Sequence, residues 1–223
     1  MAQTSVAPRI PLAGSTAQVE VTAQHMDRSL LDRLISWIAA VMALALVALG
    51  AAAIYGGSFA LDNVRDRLEP QNITIGAASE MSAEEKAIVG DYAGEKVDTG
   101  TEAEAYSRYI GLHVSEIGGG MTYSELGGPL FALEAQIEEA TAAGEDTAAM
   151  EAELAGLQGQ RDTVFKGETL KAILLNAYGW WMVGQITFFA GIGMVIAGLL
   201  LAALAALGFL HARKARLNRP VSQ

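Results

Sequence analysis

Few side chains in this 223-residue sequence could carry out chemistry: it has three histidines, His25, His113 and His211, and no cysteine. The missing thiols exclude disulfides, thiolate metal sites, cysteine nucleophiles and iron-sulfur clusters, whatever the redox compartment. Ser107 and Ser115 lie near His113, but no nucleophile motif frames either hydroxyl, and a hydrolytic triad needs a base set beside its nucleophile. Glu95, Asp98, Glu102 and Glu104 crowd a glycine-containing loop and could offer oxygens to Ca²⁺; EF-hand spacing is missing, so they read as solvated acids. Gly118-Gly119-Gly120 lacks the lysine and the preceding strand of a phosphate-binding loop. No catalytic, cofactor-binding or metal-binding residue is assigned, and the expectation is a protein that is not an enzyme and carries no cofactor.

What the sequence specifies instead is architecture. Apolar residues make up 52% of the chain and charged ones 18%, a balance that favours membrane anchors. Leu34 to Leu61 is a run of 28 residues without a formal charge; as a helix it measures about 42 Å, enough to cross ~30 Å of hydrocarbon. A second uncharged run, Ala172 to Leu210, has 39 residues, more than a bilayer needs, so its first turns, including Asn176, are expected outside the hydrocarbon. Trp180 and Trp181, and Trp37 and Tyr55 on the first run, are placed at the interfaces that indoles and phenols prefer. Ala51-Ala52-Ala53 could end a cleaved signal peptide. The apolar run is too long for one, and a polar leader of 33 residues precedes it, so a retained span is expected.

Charge sets the topology. Residues 62–171 hold 8 basic and 22 acidic side chains, a net of −14, whereas the tail after the second run has Arg213, Lys214, Arg216 and Arg219 and no acid. Positive charge resists translocation, so both termini are expected in the cytoplasm and the acidic middle outside. The same negative charge disfavours nucleic acid as a partner. The segments are thus a flexible tail, 1–33, with little fixed structure before about Asp27; a span, 34–60; an acidic exported domain, 61–171; an interfacial turn with the second span, 172–210; and a basic tail, 211–223.

Small residues recur at helical spacing in both spans, Ala48, Ala52 and Gly56 in the first and Gly198, Ala202 and Ala206 in the second. Such ladders let helix backbones approach closely in lipid, so these six are the expected helix-packing residues.

In the middle segment, Gln71-Asn72-Ile73-Thr74-Ile75 is the one β-like stretch, an extended linker or edge strand at most. Ser82 with Glu85, and Thr101 with Glu104, have capping-box spacing and open two helices; Gly118-Gly119-Gly120 stops the second. Pro129 suits a first helical position, and Gly144 ends a helix carrying Leu130, Leu133 and Ile137. Asp146 can cap the next, which carries Met150, Leu154, Leu157 and Val164. Two apolar stripes joined by a short turn predict an antiparallel helical hairpin with a thin core, and Leu130, Leu133, Ile137, Met150, Leu154 and Leu157 become candidates for contact with a partner. Gly167 is expected to kink the chain before the second span. The fold class is therefore an all-α membrane protein: two transmembrane helices flanking a mostly helical exported domain with a helical hairpin.

Leu68-Glu69-Pro70-Gln71-Asn72-Ile73-Thr74, Gly100-Thr101-Glu102-Ala103-Glu104-Ala105-Tyr106, Gly167-Glu168-Thr169-Leu170 and Leu174-Leu175-Asn176-Ala177-Tyr178 resemble motifs of an actinobacterial family of two-span membrane proteins, over roughly residues 50 to 215. That family often carries the label "aromatic ring-opening dioxygenase". Extradiol cleavage uses a non-haem iron held by two histidines and a carboxylate, and residues 61–171 contain His113 alone. In architecture the chain is also similar to small accessory subunits of actinobacterial cytochrome bcc-aa3 respiratory supercomplexes. The absence of catalytic residues and the thin, partner-seeking helices predict a non-catalytic accessory or scaffold protein of the cell membrane, and the resemblance in architecture implies other integral membrane proteins, such as respiratory complex subunits, as its partners. The alternative is an envelope sensor relaying through helix tilt.

Overall fold

The computed structural model describes the backbone of residues 14–217 and the side chains of residues 31–214. It is about 85% helical, with no strand among the described residues. Five α-helices follow in order: α1 (Gly14–Leu68), α2 (Ala83–Val89), α3 (Gly100–Ile117), α4 (Gly127–Ala143) and α5 (Ala148–Leu217). Single 3₁₀ turns at Glu69–Gln71, Ala78–Glu80 and Gly90–Tyr92 fill the connections. α1 starts at Gly14, well before Asp27, so this part of the expected irregular leader is helical; the rest of that expectation lies outside the described residues.

α1, through Leu31–Gln71, and α5, through Ala148–Lys214, are both long and apolar enough to cross a membrane. Only 11% of the most apolar window in each is buried, the inverse of a helix at the centre of a water-soluble core. Contacts divide the described chain into two compact units: α1 up to Ala53 with α5 from Ala190, and Ile54–Phe189.

In the first unit Ser36, Ala43 and Gly50 are buried on α1, and Gly191, Gly198 and Ala205 on α5, each set spaced by seven residues. A Cβ on Gly50 would lie 2.8 Å from the Gly191 carbonyl oxygen, and one on Gly198 would lie 3.0 Å from that of Ala43. Partner numbers fall on one helix as they rise on the other, so the pair is antiparallel. The Ser36 hydroxyl donates to the Asp32 carbonyl at 2.8 Å, so the polar group in this seam is satisfied.

The second unit has a core of Val64 and Leu68 from α1, Val89 from α2, Ala103 and Ala105 from α3, and Leu174 and Trp181 from α5, with Ile75 and Val97 between the helices. The β-like stretch pairs briefly with a later loop: Val97 N–H donates to Ile73 O at 3.0 Å and Ile75 N–H to Glu95 O at 2.9 Å. A smaller cluster joins Val114 of α3, Leu126 and Val164 of α5.

Helix ends follow the local chemistry, with shifts in register. The Ser82–Glu85 capping box forms, Ser82 N–H donating to Glu85 at 2.6 Å and Glu85 N–H to the Ser82 hydroxyl at 3.1 Å. For α3 the expected Thr101–Glu104 pair gives way to Thr99 at the N-cap, with Glu102 accepting from the N–H groups of Asp98 and Thr99 at 2.9 and 2.8 Å. Glu104 instead pairs with Arg108 one turn on, at 2.9 Å. The triple glycine ends α3 as expected: Gly119 and Gly120 adopt φ of +61° and +81°, where a Cβ is costly. Pro129 is the third residue of α4 rather than the first, still among the turn whose N–H groups lack helical acceptors. Asp146 accepts from Ala148 N–H at 3.1 Å at the start of α5. Gly167 does not break α5: the helix runs through it, and the missing side chain leaves room for Val114 of α3.

Candidate functional site

His113 sits between two carboxylates. Its Nε2 is 3.2 Å from Glu85 Oε1 on α2, and its Nδ1 is 3.3 Å from Glu116 Oε2 one turn along α3. The Nε2 contact falls outside hydrogen-bond alignment, so it is a contact of charge when the imidazole is protonated rather than a directed bond. Tyr109 meets the imidazole edge-on, ring centroids 4.6 Å apart, and stacks on Tyr106 at 5.6 Å. Backbone and hydroxyl hydrogen bonds from Ser82 hold the Glu85 carboxyl below its usual range against the opposing effect of burial, with His113 adding to the lowering. Burial, then the nearby Glu85 charge, raises the Tyr109 phenol. The cluster fastens α2 to α3. Ser107 is turned away from this chemistry, its hydroxyl donating to the Glu104 carbonyl at 2.7 Å. Among the described residues no three His, Asp or Glu side chains gather closely enough to hold a metal ion.

Two of the four carboxylates considered as oxygen ligands have other duties, Glu102 on backbone N–H groups and Glu104 on Arg108. A further acid had gone unnoticed: Glu125 accepts from the Thr122 N–H and hydroxyl at 2.8 and 2.9 Å, which lowers its pKa. Thr122-Tyr123-Ser124-Glu125 carries the capping-box spacing that could have found it.

The six residues expected at a partner surface differ in burial. Leu130 and Leu133 are 5% and 7% exposed, and Ile137, Met150, Leu154 and Leu157 are half-buried. The outward aromatic residues are Phe131 and Phe165, 63% and 52% exposed. Phe165 packs at 5.4 Å on Tyr123, whose ring lies 4.2 Å beneath the Arg161 guanidinium.

Of the expected helix-packing residues, Gly198 lies in the α1–α5 seam, while Ala48, Ala52, Gly56, Ala202 and Ala206 are exposed. The α1–α5 seam repeats every seven residues rather than every four, as two helices winding together do. Beside Gly198, the seam holds Gly50 and Gly191 in the first unit and Gly57 and Gly184 in the second. Trp181, expected at an interface, is buried in the core, whereas Trp37 and Trp180 are exposed.

A cavity of about 1240 Å³ lies between the α1 stretch from Gly56 to Leu68 and the α5 stretch from Leu170 to Thr187. Phe59, Val64, Ile173 and Val183 line it, and Asn63, Asp66, Arg67 and Asn176 bring polar groups to it.

Compared with family models, curated proteins and solved structures, the chain matches none.

Proposed function

We propose that the chain is a non-catalytic integral membrane accessory or scaffold protein, with α1 and α5 as its spans, both termini in the cytoplasm and residues 61–171 outside. The exported part is helical, with α4 and the start of α5 as a hairpin. The topology is supported by the acidic middle, 8 basic against 22 acidic residues, and by the wholly basic tail. The observation that carries the binding role is the outward exposure of two phenylalanines, Phe131 and Phe165, the second packed on the Tyr123–Arg161 stack: aromatic residues and arginine are enriched where proteins meet. The resemblances in sequence and architecture point to other membrane proteins as partners, respiratory complex subunits among them.

Co-purification from native membranes in mild detergent tests this reading. The expected result is a stoichiometric membrane-protein companion that is lost with Phe131→Ser and Phe165→Ser together; a well-folded chain with no companion overturns it. Protease added to spheroplasts should cut within 61–171 and spare the tails.

One observation favours a second reading, an envelope sensor: α5 is a single helix through Gly167. Deleting 213–223 would then abolish a cytoplasmic response while leaving insertion intact.

A further inference from the structure

The cavity between α1 and α5 changes character along its length. Gly56, Phe59 and Val183 line its apolar end; Asn63, Asp66 and Arg67 line the other. With the spans as proposed, Gly56 and Phe59 belong to the first span and Asn63, Asp66 and Arg67 lie beyond it, so the groove crosses from the hydrocarbon into the headgroup layer. Arg67 is exposed, its Nε donates to Asn63 Oδ1 at 2.9 Å, and among the described residues neither Arg67 nor Asp66 pairs with an opposite charge on another side chain. Trp180 also lines the cavity and is exposed, an indole suited to the headgroup level.

We propose that this groove is a binding site for one phospholipid of the outer leaflet whose head carries both a phosphate and a primary ammonium, its phosphate at Arg67, its ammonium at Asp66 and an acyl chain against Phe59 and Val183. The proposal rests on the membrane topology given above. Three features select this occupant over a partner helix. The groove straddles the edge of the proposed span, where a helix would cross the whole bilayer. Its charged groups, Asp66 and Arg67, sit at one end, as in a lipid. The adjacent charges of opposite sign match a zwitterionic head, and a cavity of this size exceeds the ~300–1,000 Å³ of ordinary small-molecule sites.

The full chain is reconstituted in nanodiscs of equal parts ethanolamine and choline phospholipid, extracted in mild detergent, and its retained lipid measured by native mass spectrometry. The expected result is one ethanolamine lipid per chain. Retention should fall at least tenfold in Arg67→Ala, which removes the phosphate contact, and in Gly56→Trp, which fills a position with open space around it. Equal retention of both lipids, unchanged in the two variants, overturns the site, as does a second copy of the chain in place of lipid. Insertion is scored separately: a chain that stays in buffer overturns the membrane topology together with the site, whereas an inserted chain with no selective lipid overturns the site alone.

Discussion

The indole of Trp181 on α5 lies directly against the backbone of Gly100, the first residue of α3, with no space for a side chain between them. The contact closes the core over Val64, Val89 and Leu174 and locates the start of α3 on α5. Even one methyl group at position 100 must displace the ring. Gly100→Ala should cost about 1–3 kcal/mol through overpacking, read as a lower unfolding temperature in detergent. Trp181→Ala should cost about 3–5 kcal/mol. Trp181→Phe should cost far less, because the buried indole N–H has no protein acceptor to lose.

The α1–α5 seam predicts a difference between neighbouring glycines. A Cβ on Gly57 would lie 2.6 Å from Phe188 N and 2.8 Å from Gly184 O, while one on Gly56 meets nothing within 4 Å. Gly57→Leu should destabilise by about 1–3 kcal/mol, and Gly56→Leu by less than about 0.5. Because the chain has no native cysteine, Ala43→Cys with Gly198→Cys should cross-link cleanly and Ala48→Cys with Ala202→Cys should not. The reverse pattern would restore the four-residue ladder.

Acid should loosen the start of α2. Glu85 has a depressed folded pKa, caused first by the Ser82 backbone hydrogen bond, so its contribution is full above the unfolded value of about 4.3 and is lost as pH falls through the folded one. Unfolding measured from pH 6 down to 3 should show that slope, and Glu85→Gln should flatten it. Tyr109 has the opposite sign: its raised pKa stabilises below about pH 10 and is lost as pH rises through the folded value. A Glu85→Gln protein with an unchanged acid profile would remove this carboxylate from the account.

Much of this fold was legible because its signals are local. Uncharged runs, the Ser82–Glu85 box, Gly118-Gly119-Gly120 and the Asp146 cap each act within a few residues, and each has its structural counterpart. What escaped was long-range. Nothing near Trp181 marks it as a partner of Gly100, 81 positions away, and its placement beside Trp180 reads as a membrane-interface pair. Likewise, alanine is abundant enough to form a four-residue ladder beside the true seam. Only the facing backbone of α5 distinguishes Gly57 from Gly56.

The outward aromatic residues should be silent for folding. Phe131→Ser and Phe165→Ser are each expected to change stability by about 0.5 kcal/mol or less, since most of each side chain is already in contact with its surroundings outside the chain. Leu130→Ser, one position away and buried, should cost several times more. If instead the phenylalanine variants unfolded the protein, their exposure would need a structural explanation rather than a binding one.

The spacing of the glycine seam also fixes an order of events at the ribosome. Gly57 emerges 127 residues before Gly184, the backbone it will touch. At ~5–20 residues per second, and with α1 inserted as proposed, its groove of small residues faces lipid for roughly 6–25 s. During that interval nothing in its own polypeptide can occupy the groove, so any other small-residue helix in the insertion site competes for it. Biogenesis, rather than the finished molecule, is therefore where substitutions along this seam would first be felt.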